Sequence, residues 1–254
     1  MVYCQSDLSF HLCCQLTENL LIHPYTFVMT QPFHSKIEQV ESGIIEMGNE
    51  LVANIPKTAL ALLASDTVTA DEVFKADEEF NRIAAELEQL CYMHLALQKP
   101  NGPELRRTIS SLRIIADLER SHDLVVNIAK ATIRMVGYQV DPSISKLVGE
   151  MARQAAFEFK HAIEAYQKKD ETLARSIVTT DSVLDATHKD LLQAIFTAHK
   201  SGNCEIEVAL QYALVGRFLE RIGDHAVNLA RSIEFSITGD LGPDIETITR
   251  MENR

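Results

Sequence analysis

Two stretches of the chain repeat an acidic pattern that could bind a cation. Residues 118–130 align without a gap to residues 219–231, and the same Leu, Glu, Arg, Asp, Val, Asn and Ala recur at seven of the thirteen positions. On a helix, side chains four positions apart lie over one another. Each stretch therefore presents one stripe of oxygen-bearing side chains, namely Glu119, Asp123 and Asn127 in the first and Glu220, Asp224 and Asn228 in the second.

Carboxylate and amide oxygens are ligands that Mg, Mn and Fe accept, but one helix supplies only part of a coordination shell. A second helix would have to complete it. Asp181 and Asp185 offer another carboxylate pair at the same spacing, whereas the matching residues in the first half are Asp77 and Asn81. The sequence therefore predicts two candidate metal sites, and the site in the first half carries less charge.

Two other interpretations of these residues stay open. The acids could be solvated helix surface, held in ordinary ion pairs that contribute little, with the nearby arginines Arg120, Arg217, Arg221 and Arg231. Alternatively, Glu119-x-x-His122 and Glu158-x-x-His161 match the Glu-x-x-His spacing of di-iron carboxylate bundles, which would indicate an oxidoreductase. The second repeat has Gly223 at the position of His122, so the duplication favours a shared metal-binding stripe over either alternative.

The helices that must position these side chains follow from apolar residues recurring three or four apart. Six helices are predicted, three on each side of the Asp141-Pro142-Ser143 break. The first should kink or break around Val52 to Pro56, because proline lacks an amide donor. In the first half the predicted helices are Ser35–Ser65, a helix that begins at a Thr69/Glu72 capping box and ends at Gln98, and Pro103–Met135. In the second half they are Ser143–Gln167, a helix capped by Asp170 that ends at Lys200, and a helix capped by Asn203 that ends at Ser236.

The fold class predicted by this layout is all-α, with three helices in each of two copies of a duplicated unit. Few glycines and prolines (10 and 7) and the absence of Trp agree with long helices. The predicted organisation is a poorly ordered extension over residues 1–32, with Met29 as a candidate start, a first repeat over 33–140, a second repeat over 141–240 and a tail over 241–254.

Composition narrows the class of partner. A formal net charge of -12 disfavours general affinity for nucleic acid or for anionic membrane surfaces. The five cysteines form no C-x-x-C pair, and no apolar run is long enough to span a membrane. No Ser-His-Asp order, phosphate-binding glycine loop or zinc motif is present, so nothing in the sequence argues for catalysis. We expect a cytoplasmic protein that is not inserted into the membrane and is not an enzyme.

The repeated motif also carries a family resemblance. Residues 219–228, Leu-Glu-Arg-Ile-Gly-Asp-His-Ala-Val-Asn, closely resemble the signature of the PhoU family of phosphate-signalling regulators. Gln98, Pro100 and residues 104–106 resemble the segment that opens the third helix in that family. The first copy of the motif departs from the signature, because Ser121 and His122 replace the usual Ile-Gly.

This resemblance implies two tandem pseudo-symmetric three-helix bundles that hold metal ions, with iron or zinc in some relatives. Together with the ligand chemistry above, the candidate metals are Fe, Zn, Mn and Mg. The implied ligands are Asp77, Glu119 and Asp123 in one cluster, where Asn81 departs from the pattern, and Asp181, Asp185, Glu220 and Asp224 in the other. It also implies a homodimeric, cytoplasmic negative regulator of the phosphate-starvation response. Such a protein acts as an adaptor between the phosphate ABC transporter ATPase and a sensor histidine kinase.

Overall fold

The computed structural model describes residues 34–240, except for the side chains of residues 34, 35 and 179–181. The predicted extension over 1–32 and the predicted tail over 241–254 lie outside the described residues. Within them the chain forms six helices and no strand. The helices are α1 His34–Ala64, α2 Thr67–Gln98, α3 Gly102–Arg134, α4 Pro142–Lys168, α5 Glu171–Lys200 and α6 Ile206–Thr238.

Aspartates begin three of the helices. The Asp66 carboxylate accepts hydrogen bonds from the backbone of Val68 and Thr69 at the start of α2, and Asp141 and Asp170 cap α4 and α5. The predicted start of α2 at Thr69 was therefore wrong, because Thr69 donates its hydroxyl to Asp66 Oδ2 at 2.7 Å instead of capping the helix itself.

The cap of α6 also differs from the prediction. The backbone N–H of Asn203 donates to the carbonyl of Ala198 at 2.9 Å, so Asn203 closes the end of α5 and does not begin α6. The N-cap position of α6 is Glu205, whose side chain makes no capping hydrogen bond.

The proline in α1 does not interrupt the helix. Of the kink or break predicted around Val52 to Pro56, the break is absent, since α1 is helical without interruption from His34 to Ala64. Proline removes one backbone hydrogen bond at this point, but Ile55 and Ala59 on either side of it are buried in the core. Tertiary packing holds the helix together where its own hydrogen-bond ladder is incomplete.

The packing of the six helices repeats as the sequence does. Helices α1, α2 and α3 all contact one another, and so do α4, α5 and α6. The two bundles meet through α1 against α4 and through α3 against α6. Both of these contacts join helices at equivalent places in the two repeats, as an internal twofold relationship requires. The predicted all-α fold with two pseudo-symmetric three-helix bundles is confirmed.

One hydrophobic core runs through both bundles. Leu118 on α3 and Leu219 on α6, the matching leucines of the duplicated motif, are completely buried. The leucine of each motif therefore anchors its helix in the core. Neighbouring residues of the same motif, including the acidic stripe, then take the remaining faces of α3 and α6.

Candidate functional site

The first acidic cluster joins α2 to α3. Asp77 on α2 retains 28% side-chain exposure, Glu119 on α3 is half-buried, and Asp123 is exposed. Burial raises the pKa of the Glu119 carboxyl, and the charges of Glu88, Asp123 and Asp77 raise it further, while Arg120 opposes them. The predicted residues of the first half therefore lie close enough to repel one another.

A buried histidine occupies this first cluster. His122 is fully buried, stacks on Phe80 with ring centroids 4.0 Å apart, and places its Nδ1 3.2 Å from Asp77 Oδ1. Burial lowers the pKa of His122 more than Asp77, Glu50 and Asp123 raise it, so the ring is neutral and its Nδ1–H donates to the carboxylate. The sequence marked His122 as a candidate di-iron ligand, whereas here it acts as a protein donor to Asp77.

Asp77 has a second, weaker donor. The side-chain amide of Asn81 lies 3.4 Å from the same Asp77 Oδ1. The buried amide oxygen of Asn81 has no hydrogen-bond partner among the described residues. Protein groups therefore already satisfy the carboxylate that would be central to a metal site in the first half.

The second acidic cluster joins α5 to α6. Burial raises the pKa of the Asp224 carboxyl and Asp185 raises it further, whereas Arg217 and Arg221 oppose the shift. Arg217 forms an ion pair with Glu220, whose side chain is only 13% exposed. An arginine therefore supplies the counter-charge that a stripe of like charges needs.

His188 belongs to this second cluster, although the sequence did not place it among the candidate ligands. It follows Asp185 by three positions on α5, and its buried Nε2 has no hydrogen-bond partner among the described residues. Burial lowers the pKa of His188, Arg217 lowers it further, and Asp185 raises it. The signal that could have found it is the Asp-x-x-His spacing, which puts both side chains on one helix face.

The predicted ligands are only partly brought together. Asp181 lies on α5, but its side chain is outside the described residues. Among the side chains that the structure describes, no group of three or more His, Cys, Asp or Glu is arranged to hold a metal ion. Asn127 is half-buried on α3, while Asn228 lines a different cleft, between α2, α3 and α6.

The di-iron alternative requires Glu119, His122, Glu158 and His161 to converge, and these four described residues form no such group. The ring of His161 donates its Nδ1–H to the carbonyl of Phe157 at 2.8 Å. Glu158 is completely buried and accepts a hydrogen bond from Gln154 at 2.9 Å. Each side chain therefore has a local role.

Buried hydrogen bonds also link the two motif helices, α3 and α6, at the interface between them. The Ser121 hydroxyl on α3 donates to the carbonyl of Asp117 at 2.6 Å and accepts from His225 Nδ1 on α6 at 2.8 Å. Burial lowers the pKa of His225 to about 4, with the charges of Arg120 and Arg221 acting in the same direction. His225 is therefore a neutral hydrogen-bonding residue that joins the two repeats.

Comparison with known proteins agrees with the duplicated acidic helices. The family model of the PhoU domain matches the chain twice, over residues 44–132 and 148–233. The chain is 31% identical over 222 residues to the phosphate-specific transport system accessory protein PhoU homolog 1 of Mycobacterium tuberculosis, covering 87% of this chain and 100% of that protein.

Solved structures show the same fold. The crystal structure of PhoU from Pseudomonas aeruginosa superposes with a TM-score of 0.78 at 27% identity, covering 82% of this chain and all of that one. The phosphate transport system regulatory protein PhoU from Streptococcus pneumoniae superposes with a TM-score of 0.77 at 24% identity, covering 84% of this chain and all of that one.

These matches define the class of the protein as a duplicated PhoU-domain protein. The chain belongs to the PhoU family. None of the helices over residues 34–240 is both long and apolar enough to cross a membrane.

Proposed function

We propose that this protein is a cytoplasmic negative regulator of the phosphate-starvation response and of phosphate uptake. It acts as an adaptor, without enzymatic activity, between the ATPase of a phosphate ABC transporter and a sensor histidine kinase. The observation that carries the proposal is the PhoU-domain match to both halves of the chain, because relatives covered along their whole length are named phosphate-specific transport system accessory proteins.

The adaptor role is tested in a strain that lacks the gene. Phosphate-scavenging genes should be expressed in that strain even when phosphate is abundant, and the wild-type chain should restore repression. Unchanged expression in the deletion strain would contradict the regulatory role. Binding of the purified chain to the transporter ATPase and to the kinase, measured separately, tests the adaptor function itself.

We further propose that the second acidic cluster holds a metal ion when the regulator is active. Asp185, Glu220 and Asp224 would supply carboxylate oxygens, and His188 Nε2, which has no hydrogen-bond partner among the described residues, would add an imidazole nitrogen. These side chains would have to move closer together to bind the ion, because they are not arranged to hold one as they stand. This donor set suits Fe, Mn or Zn. A bound ion would supply positive charge to the stripe, and Arg217 would then leave its ion pair with Glu220.

The first cluster fits a metal less well. Hydrogen bonds from His122 and Asn81 already satisfy Asp77, and stacking on Phe80 fixes the His122 ring. Releasing Asp77 to a cation would leave a buried imidazole donor without its partner, which costs free energy. The two repeats therefore differ in function, and the second is the proposed metal site.

The link between metal and regulation is tested by complementation. A Glu220→Ala, Asp224→Ala double variant should restore repression less well than the wild-type chain. A matched control is the Glu46→Ala, Asp190→Ala double variant, which removes two exposed acids that form no ion pair with a described residue. Both variants must be folded by circular dichroism. Full repression by the first variant would refute the metal mechanism and leave the adaptor proposal standing.

A further inference from the structure

A cleft of about 570 Å³ lies between α2, α3 and α6, and its charged groups differ from those of the acidic stripe. Three arginines line it, Arg113 and Arg120 from α3 and Arg231 from α6. Two acids, Glu88 and Asp117, also line it. The excess of positive charge is unusual for a chain with a net charge of -12.

Of the three arginines in the cleft, Arg120 forms an ion pair inside it, whereas Arg113 and Arg231 do not. Arg120 binds the buried Asp117 carboxylate at 2.6 Å, so these two charges neutralise each other. Arg113 forms no hydrogen bond or ion pair with a described residue and lies over the face of Phe235, with its guanidinium carbon 5.5 Å from the ring centroid. Arg231 forms no hydrogen bond or ion pair with any residue that the structure describes. The N–H donors of both guanidinium groups therefore have no hydrogen-bond acceptor in the part of the chain that the structure describes.

The duplication of the chain does not explain this arrangement. Extending the alignment of the two motifs along α3 and α6 pairs Arg113 with Leu214 and Asp117 with Phe218. The ring of Phe235, which Arg113 covers, corresponds to Arg134 in the first repeat. The charged residues of the cleft are thus found on one side of the α3 and α6 pair only, and the internal symmetry of the fold does not repeat them on the other side.

The lining selects a class of ligand. Guanidinium groups match phosphate oxygens in bidentate pairs, and the buried hydroxyl of Ser232 and the amide of Asn228 add neutral donors. A polyvalent anion would gain more than a carboxylate with one charge, because the cleft's arginines outnumber its acids and attraction to the net positive charge grows with the charge of the ligand. The volume lies in the range of small-molecule sites, and the exposed ring of Tyr92 offers an apolar edge.

The geometry points to a binding site for a small phosphate-bearing anion in this cleft, held by Arg113 and Arg231 and separate from the acidic stripe. Orthophosphate, pyrophosphate and phosphate monoesters share the required chemistry. The site does not depend on the proposed adaptor function, because a loss of regulation in cells would leave binding to the purified protein unaffected.

Calorimetric titration of the full chain with sodium phosphate, sodium pyrophosphate and AMP, at constant ionic strength, tests the site and distinguishes the three sources. At least one should bind, and an Arg113→Gln, Arg231→Gln double variant should bind it about tenfold or more weakly. The control is Arg134→Gln, which removes an exposed α3 arginine outside the cleft and should leave binding unchanged.

Three results would overturn the inference. The first is that none of the three anions binds at millimolar concentration. The second is that the double variant binds the anion as tightly as the wild type does. The third is that the wild-type chain binds sulfate as tightly as it binds the phosphate-bearing anion. The thermal melt of each variant should match that of the wild type, because the arginines concerned are exposed. If the double variant melts early, the single variants Arg113→Gln and Arg231→Gln replace it, and unchanged affinity in both would refute the site.

Discussion

His122 Nδ1 lies 3.2 Å from Asp77 Oδ1, at a place in the first repeat where the second repeat has Gly223. The imidazole N–H thus occupies a carboxylate oxygen that would otherwise be open to a cation. In the second repeat the acidic stripe is instead partnered by Arg217, whose exposed side chain pairs with Glu220. The duplicated unit has therefore diverged at its acidic stripe more than the motif itself suggests.

Asp224→Ala should lower the metal content of the purified protein more than Asp123→Ala does. Asp224 interacts with Asp185 across α5 and α6, whereas Asp123 faces a cluster whose Asp77 is already hydrogen-bonded. Elemental analysis of both variants, prepared in parallel with the wild type, measures the difference. Equal losses from the two variants would show that the histidine does not distinguish the repeats.

Arg217→Gln should tighten metal binding. The arginine pairs with Glu220 in the second cluster, so a cation must displace it before it can use that carboxylate. Exposed ion pairs contribute up to about 1 kcal/mol, which corresponds to an affinity gain of up to about fivefold. Titration of metal-free protein with Zn or Mn checks this, and Arg153→Gln on α4 serves as the control. A weaker affinity in Arg217→Gln would mean that the arginine assists the site.

Lowering the pH should weaken the interface between α3 and α6, because His225 is buried there. Its pKa in the folded protein is about 4, below the ordinary value of 6.5, so its contribution to stability is present above pH 6.5. That contribution is lost as the pH falls from about 6.5 through 4. The hydrogen bond to Ser121 survives protonation, because Nδ1 is already the donor. The cost comes from charging a buried ring beside Arg120 and Arg221.

His225→Asn tests this pH dependence, because an asparagine amide can still donate to Ser121 but does not titrate. Between pH 7 and pH 4 the wild type should lose about 3 kcal/mol more unfolding free energy than the variant. Denaturant unfolding at a series of pH values gives the comparison. His122 and His188 titrate in both proteins, so their effects cancel. Parallel pH profiles would contradict the assignment of His225.

Two glycine substitutions should change stability in opposite directions. A Cβ added at Gly48 on α1 would overlap the Ile163 side chain on α4, so Gly48→Ala should destabilise the contact between the bundles by about 1–3 kcal/mol. A Cβ added at Gly149 meets only Arg153 at 3.5 Å, so Gly149→Ala should stabilise α4 by up to about 1 kcal/mol. Thermal melts of the two variants test both expectations. A higher melting temperature for both variants than for the wild type would mean that α1 lies farther from α4 than in this structure.

The helices and the acidic stripe could be predicted because both depend on residues close in sequence. Periodic apolar residues predict six helices, and identical spacing predicts that Glu119 lies over Asp123. The partner of Asp77 could not be predicted, because it depends on how α2 packs against α3. For the same reason the sequence analysis did not find the arginine cleft, where Arg113 and Arg231 lie 118 positions apart in sequence.

Asp117→Asn should strengthen anion binding in the arginine cleft. The buried Asp117 carboxylate engages Arg120 and opposes any anion nearby, so its neutralisation frees a third guanidinium group and should raise phosphate affinity about fivefold. Burial raises the pKa of Asp117, so the stability of the wild type falls as the pH rises above the usual carboxyl range. The asparagine variant avoids that cost and should be no less stable than the wild type at pH 7, since Arg120 is 58% exposed and solvated. The same calorimetric titration, with Asp190→Asn as the control, measures the affinity. If removing this charge leaves phosphate affinity unchanged while the variant is folded, the anion does not bind beside Asp117, and the cleft is not its site.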